Sequence, residues 1–130
     1  MFTHSQLMKF CTEIFLSLNM DNEKALDTSE ILIEADMMKH STHGVRLLPL
    51  YIKDIELGNM KVNGQEKVLK DTGSCLTWDG KLLPGTWLTK KALKTAAERA
   101  QKFGVATVSI SNSHHNGALA AYMLSLIHIS

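Results

Sequence analysis

Residues 74–110 read SCLTWDGKLLPGTWLTKKALKTAAERAQKFGVATVSI, and this stretch decides the fold. Ser74 to Trp78 is a short β-prone run, and Asp79-Gly80 follows it with turn chemistry. The period then changes. Over residues 86–103, Trp87, Ala92, Ala96, Ala100 and Phe103 are available for one face of a helix, and Gly104 ends it. Val105 to Ile110 alternates and is rich in β-branched residues, which reads as a buried strand. Strand, helix and strand in this order make a βαβ unit. In open α/β sheets, ligands sit beyond the carboxyl ends of the strands. The polar loop Ser111-Asn-Ser-His-His-Asn-Gly117 leaves such an end.

Upstream of this unit the chain reads as helical. Thr3 and Gln6 fit a capping box, and Leu7, Cys11, Ile14, Phe15 and Leu18 recur at helical spacing. Asn19 to Asn22 is a break, after which Asp21 caps a second helix running to about Lys39. The short polar segment His40-Ser-Thr-His-Gly44 interrupts it. Pro49 tolerates only the first turn of a helix, so a tight turn is expected near residues 43–48, with a regular helix after it that stops at Gly58. Glu66 to Lys70 is a further short strand, joined to Ser74–Trp78 through Asp71-Thr-Gly73. Ala118 onwards begins another helix.

The 130 residues carry 14 Lys plus Arg against 13 Asp plus Glu, a net charge of +1 that excludes a general nucleic-acid binder. No apolar run reaches membrane-spanning length, and no secretory leader is expected at the N-terminus, where Thr3, His4, Ser5, Gln6 and Lys9 interrupt the apolar residues. Two cysteines cannot form a disulfide scaffold, which points to a reducing compartment. Cys11 reads as packing on a helix face and Cys75 as a structural strand residue. Lys90, Lys91 and Lys94 read as a solvated helix face.

Four of the six histidines fall in two polar segments, His40 with His43 and His114 with His115. Imidazole is the side chain best suited to proton transfer near neutral pH, and two such turns brought together place an acid and an orienting group around one substrate. The same residues also read as half-exposed loop histidines making local hydrogen bonds. Four nitrogens offer a metal set, although adjacent histidines diverge and no cysteine or carboxylate pattern supports it. That leaves a small, non-catalytic, histidine-rich metal- or ligand-binding module as the alternative function. No nucleophile elbow, dinucleotide fingerprint or Walker A motif occurs.

Residues 34–58, EADMMKHSTHGVRLLPLYIKDIELG, resemble the malate/L-lactate dehydrogenase type 2 family, whose relatives include ureidoglycolate and sulfolactate dehydrogenases and diketogulonate reductase. The family pattern is Ala-Asp, a short gap, Ser/Thr-His-Gly-Val, then Pro-x-Tyr and a closing Gly. Residues 112–117, NSHHNG, are similar to its Asn-Ser-x-His-x-Gly segment. The resemblance covers nearly all of residues 5–123. It implies an α/β fold in which a helical region over residues 1–60 precedes the start of a non-Rossmann α/β domain over 61–123. It also implies that the chain is a truncated N-terminal fragment. Residues 124–130, LSLIHIS, resemble a translated sequencing-library transposon adapter and are expected to be a non-native tail.

The family interconverts 2-oxo and 2-hydroxy acids with NAD or NADP. The resemblance thus implies a cytoplasmic, homodimeric parent enzyme that acts on small acids; charge and hydropathy leave no nucleic-acid or membrane partner expected, and the proton-donor chemistry needs no metal. It assigns His43 as proton donor to the substrate carbonyl, Thr42 as its orienter, His115 as a second acid/base and Tyr51 as a substrate-site residue. Many relatives carry an arginine four residues after the motif histidine. Leu47 stands there in this chain, which leaves Arg46 as the candidate carboxylate ligand. The cofactor-binding loops, an active-site lysine and a relay carboxylate are expected beyond this sequence, and the fragment alone is expected to be inactive.

Overall fold

The computed structural model describes the backbone of residues 1–129 and the side chains of residues 1–124. Helix α1 (His4–Ser17) opens on the expected capping box, Thr3 and Gln6 each accepting the other's backbone N–H. Helix α2 (Asn22–Met37) starts after Asp21, whose carboxylate makes no side-chain cap and pairs instead with Lys24 at 2.6 Å. Two single 3-10 turns follow, Ser41–His43 and Val45–Leu47, and helix α3 (Leu48–Glu56) begins with Pro49 in its first turn. The tight turn and late helix start expected from Pro49 are both present, and Gly58 lies just past the end of α3.

Strand β1 (Lys67–Asp71) pairs antiparallel with β2 (Cys75–Asp79) through a Thr72–Ser74 turn. Helix α4 (Gly85–Phe103) crosses over, and β3 (Thr107–Ser111) returns parallel to β2, with Leu76 opposite Val108 and Trp78 opposite Ile110. The sheet order is β1-β2-β3, so the expected βαβ unit is β2-α4-β3. Helix α5 (Leu119–Ile129) follows the histidine loop. The expected non-native tail, 124–130, falls almost wholly outside the described side chains. Among the described residues no helix is long and apolar enough to cross a membrane.

The largest apolar cluster joins α1, α2 and α3 through Cys11, Phe15, Leu32, Ile33, Leu48 and Tyr51. Smaller clusters set α4 on one face of the sheet, with Leu76, Trp78 and Ala92 in one and Leu83, Trp87 and Leu88 in another. Helix α4 packs on α2 through a buried hydroxyl pair, Thr28 and Thr86, at 2.8 Å.

Three expectations are corrected. Strand β3 is half exposed rather than buried, because it is a sheet edge and only Val108 and Ile110 turn toward α4. Cys75 is exposed at the start of β2, where its free thiol lies beside Ser74 Oγ rather than in the core. Lys90 and Lys91 are partly buried ion-pair partners instead of a solvated face. Lys90 bridges Asp27 at 2.5 Å and Glu30 at 2.6 Å on α2, and Lys91 reaches Glu66 at 2.8 Å. Sequence spacing along α4 could not reveal these partners, because they lie on other elements.

Candidate active site

The turn after α2 is built around a carboxylate. Asp36 Oδ2 accepts the Val45 N–H at 2.9 Å, which pins the second 3-10 turn to the end of α2. Gly44 runs so close beneath that a Cβ there would overlap the Asp36 carboxyl group. Sequence reading placed Asp36 in the family pattern and gave it no task; its position nine residues before Val45 carries no periodic signal. The first 3-10 turn, joined to the pinned one through Gly44, presents Thr42 and His43, with Thr42 Oγ1 3.0 Å from His43 Nδ1. If Thr42 Oγ1 accepts from Nδ1–H, Nε2 is the nitrogen left to exchange a proton.

The second histidine segment leaves β3 at its carboxyl end. Its loop is seated on the start of α4: His114 N–H donates to Leu83 O at 3.0 Å, and a Cβ on Gly85 would strike the carbonyl oxygens of His114 and His115. Two side-chain links then tie the loop to α3. Tyr51 Oη lies 2.8 Å from His115 Nδ1, and His114 Nε2 lies 2.9 Å from Asp54 Oδ2.

These contacts bring His43 and His115 together. Their rings stack with centroids 5.6 Å apart and planes 21° from parallel. His40, His43, His115 and residues 116–120 line an open cleft of about 410 Å³. A larger groove of about 490 Å³ between α2 and α4 is lined by charged residues, among them the Asp27–Lys90 ion pair. It contains no histidine, whereas three imidazoles line the smaller cleft.

The hydrogen bonds fix the His115 tautomer. Gly117 N–H donates to its Nδ1 at 3.2 Å, so Nδ1 carries the lone pair and Nε2 carries the proton. Tyr51 is fully buried, and burial pushes its phenol well above the ordinary tyrosine range, with the Asp54 charge adding to the effect. It therefore stays protonated and donates to the same nitrogen. Burial also holds the His115 imidazole below the usual histidine range, and His43 and His114 push in the same direction. The residue as a whole is exposed, but its Nδ1 edge is packed against Tyr51 and Gly117, and desolvation acts there.

The other candidates separate. Arg46 is exposed in the second 3-10 turn and contributes no side-chain hydrogen bond or ion pair among the described residues. His40 is the residue just before the first 3-10 turn. His114 is committed to Asp54, which breaks up the four-nitrogen metal set. Among the described residues no three His, Cys, Asp or Glu side chains gather as a metal site. Sequence reasoning missed Asp54, although its position three residues after Tyr51 places both on one side of α3.

A βαβ unit thus feeds a two-histidine loop, which meets a second histidine-bearing segment in an α/β frame without a dinucleotide fingerprint. The sequence profile of the malate/L-lactate dehydrogenase family matches residues 2–128, and the chain belongs to that family. It is 28% identical over 118 residues to hydroxycarboxylate dehydrogenase B of Escherichia coli O157:H7, covering 91% of this chain and 33% of that one. It is 32% identical over 110 residues to malate/(S)-sulfolactate dehydrogenase of Methanothermus fervidus, covering 85% and 32%. The crystal structure of malate dehydrogenase from Entamoeba histolytica superposes with a TM-score of 0.89 at 27% identity, over 93% of this chain and 34% of that one. The chain thus spans about a third of the length of the relatives it matches.

Proposed function

We propose that this chain supplies the histidine acid/base face of a longer oxidoreductase that interconverts 2-hydroxy acids and 2-oxo acids. The observation that carries the reading is the convergence of His43 and His115, from two distant segments, on one cleft with stacked rings. In this reading His43 gives a proton from Nε2 to the substrate carbonyl oxygen as alkoxide charge develops, while Thr42 holds Nδ1. His115 offers a neutral Nε2–H as a hydrogen-bond donor to the same oxygen or to the substrate carboxylate. Tyr51 acts through His115 and stays behind it, and Arg46 is free to swing toward a substrate carboxylate.

The reaction class needs a nicotinamide cofactor, NAD or NADP. The cleft lining offers imidazoles, the Asn116 amide and backbone groups, with no acidic residue for a ribose and no glycine-rich phosphate loop. The described residues do not make a dinucleotide site by themselves, so in this reading sequence beyond this chain holds the cofactor, and the chain alone does not turn over. The full protein is taken to be a cytoplasmic homodimer.

The test is to express the full reading frame and follow NAD(P)H absorbance with a panel of 2-oxo acids. Turnover of at least one is expected. A folded protein that turns over none of them and binds neither dinucleotide would overturn the proposal.

A further inference from the structure

Asp54 and His114 lie outside the set of residues that touch the cleft, yet both are held tightly. Their side chains are 20% and 12% exposed, and the bond between them measures 2.9 Å. His114 Nδ1 is buried with no hydrogen-bond partner among the described residues. A buried N–H without an acceptor costs about 1–3 kcal/mol, so the arrangement is best satisfied when Nδ1 carries a lone pair and Nε2–H donates to Asp54. The imidazole in turn stands edge-on to the Tyr51 ring, with centroids 5.3 Å apart and planes at 89°. Tyr51 is therefore gripped at its ring by His114 and at its hydroxyl by His115. Asp54 is itself fixed: its backbone carbonyl accepts the N–H groups of Asn59 and Met60, and its Oδ1 accepts from Asn59 Nδ2 at 3.4 Å.

We propose that Asp54 and His114 are a positioning pair that locks Tyr51 and the 112–117 loop, so that His115 keeps its Nδ1 as an acceptor and turns Nε2–H to the cleft. The chain of contacts runs from the Asp54 carboxylate through the His114 ring to the Tyr51 ring and hydroxyl, and ends at His115 Nδ1. The catalytic meaning of the pair rests on the acid/base reading above; its structural content does not. The titratable groups around His115 are His40 and His43 from the turn after α2, Tyr51 and Asp54 from α3, and His114 beside it.

The experiment is side-chain nitrogen NMR of the histidines in the 130-residue chain, across pH, for wild type, Asp54→Ala, Asp54→Asn and His114→Phe. In wild type, His115 Nδ1 is expected to read as an unprotonated acceptor and Nε2 as protonated at neutral pH. In Asp54→Ala and His114→Phe the two His115 nitrogens should move toward a tautomeric average, and the imidazole midpoint should rise toward the ordinary histidine value. Asp54→Asn should keep the wild-type pattern, because its amide oxygen still accepts Nε2–H. Backbone amide dispersion reports folding, and if Asp54→Ala does not fold, His114→Phe decides. An unchanged His115 pattern in a folded Asp54→Ala or His114→Phe chain would overturn the proposal. Absent turnover in the full protein, with this coupling intact, would instead remove only the acid/base reading.

Discussion

Gly85→Ala is the sharpest perturbation the structure offers without touching a histidine. A Cβ at residue 85 would overlap the His114 carbonyl oxygen and sit 2.7 Å from the His115 carbonyl oxygen and 2.8 Å from its carbonyl carbon. Carbon and oxygen approach to about 3.3 Å without strain, so the loop must retreat by about 1 Å to clear the His114 oxygen. The obstructing atoms are backbone, and no rotamer change relieves them. Overpacking of this kind costs about 1–3 kcal/mol. The retreat also stretches the Tyr51–His115 and Asp54–His114 bonds, each worth about 0.5–1.5 kcal/mol. Alanine's better helix propensity returns at most about 1 kcal/mol. The net loss is then about 1–6 kcal/mol, centred near 3, a large share of a typical domain's stability. In urea unfolding, with a slope of about 1–3 kcal/mol per molar, the midpoint should fall by on the order of 1–2 M. Gly104→Ala is the control. Gly104 has φ of +80°, and a Cβ added there would meet no atom within 4 Å, so the substitution should lose only about 1 kcal/mol and leave His115 unchanged. A Gly85→Ala chain within about 0.5 kcal/mol of wild type would refute the reasoning that this glycine seats the loop.

Tyr51→Phe should cost about 1 kcal/mol in urea unfolding and let the His115 midpoint rise, because the phenol donates only to the neutral ring. Lys24 is 1% exposed, paired with Asp21 and 4.1 Å from the centre of the Trp87 ring. Lys24→Met should therefore be close to neutral and Lys24→Ala should lose about 2–4 kcal/mol, both read by the urea midpoint. The folded His115 midpoint is depressed, so the unfolded chain binds its proton more readily. Stability from this group is present above the unfolded histidine value and is lost as pH falls through the folded one. Stability measured across that window should slope upward with pH, and His115→Asn should flatten the slope.

Much of this fold was legible because local chemistry and tertiary context agree. The Thr3–Gln6 capping box, Pro49 in the first turn of α3, and the period change that marks β2-α4-β3 all hold in the structure. What sequence could not give is contact between distant segments. Lys90 and Lys91 look like solvent-facing residues until α2 and Glu66 are set beside them. The alternation of Val105 to Ile110 signals a strand but not an edge, since edge position depends on which strands pair. At the site, the two histidine segments were visible as motifs. Their meeting, the His115 tautomer and the parts played by Asp36 and Asp54 come only from the folded geometry.

The most direct measurement is turnover of a 2-oxo acid by the full protein, wild type against His43→Ala. If His43 is the proton donor, kcat should fall by about 10²- to 10⁴-fold while dinucleotide binding is unchanged. Turnover equal to wild type within error would contradict the account and move the proton donor to another group.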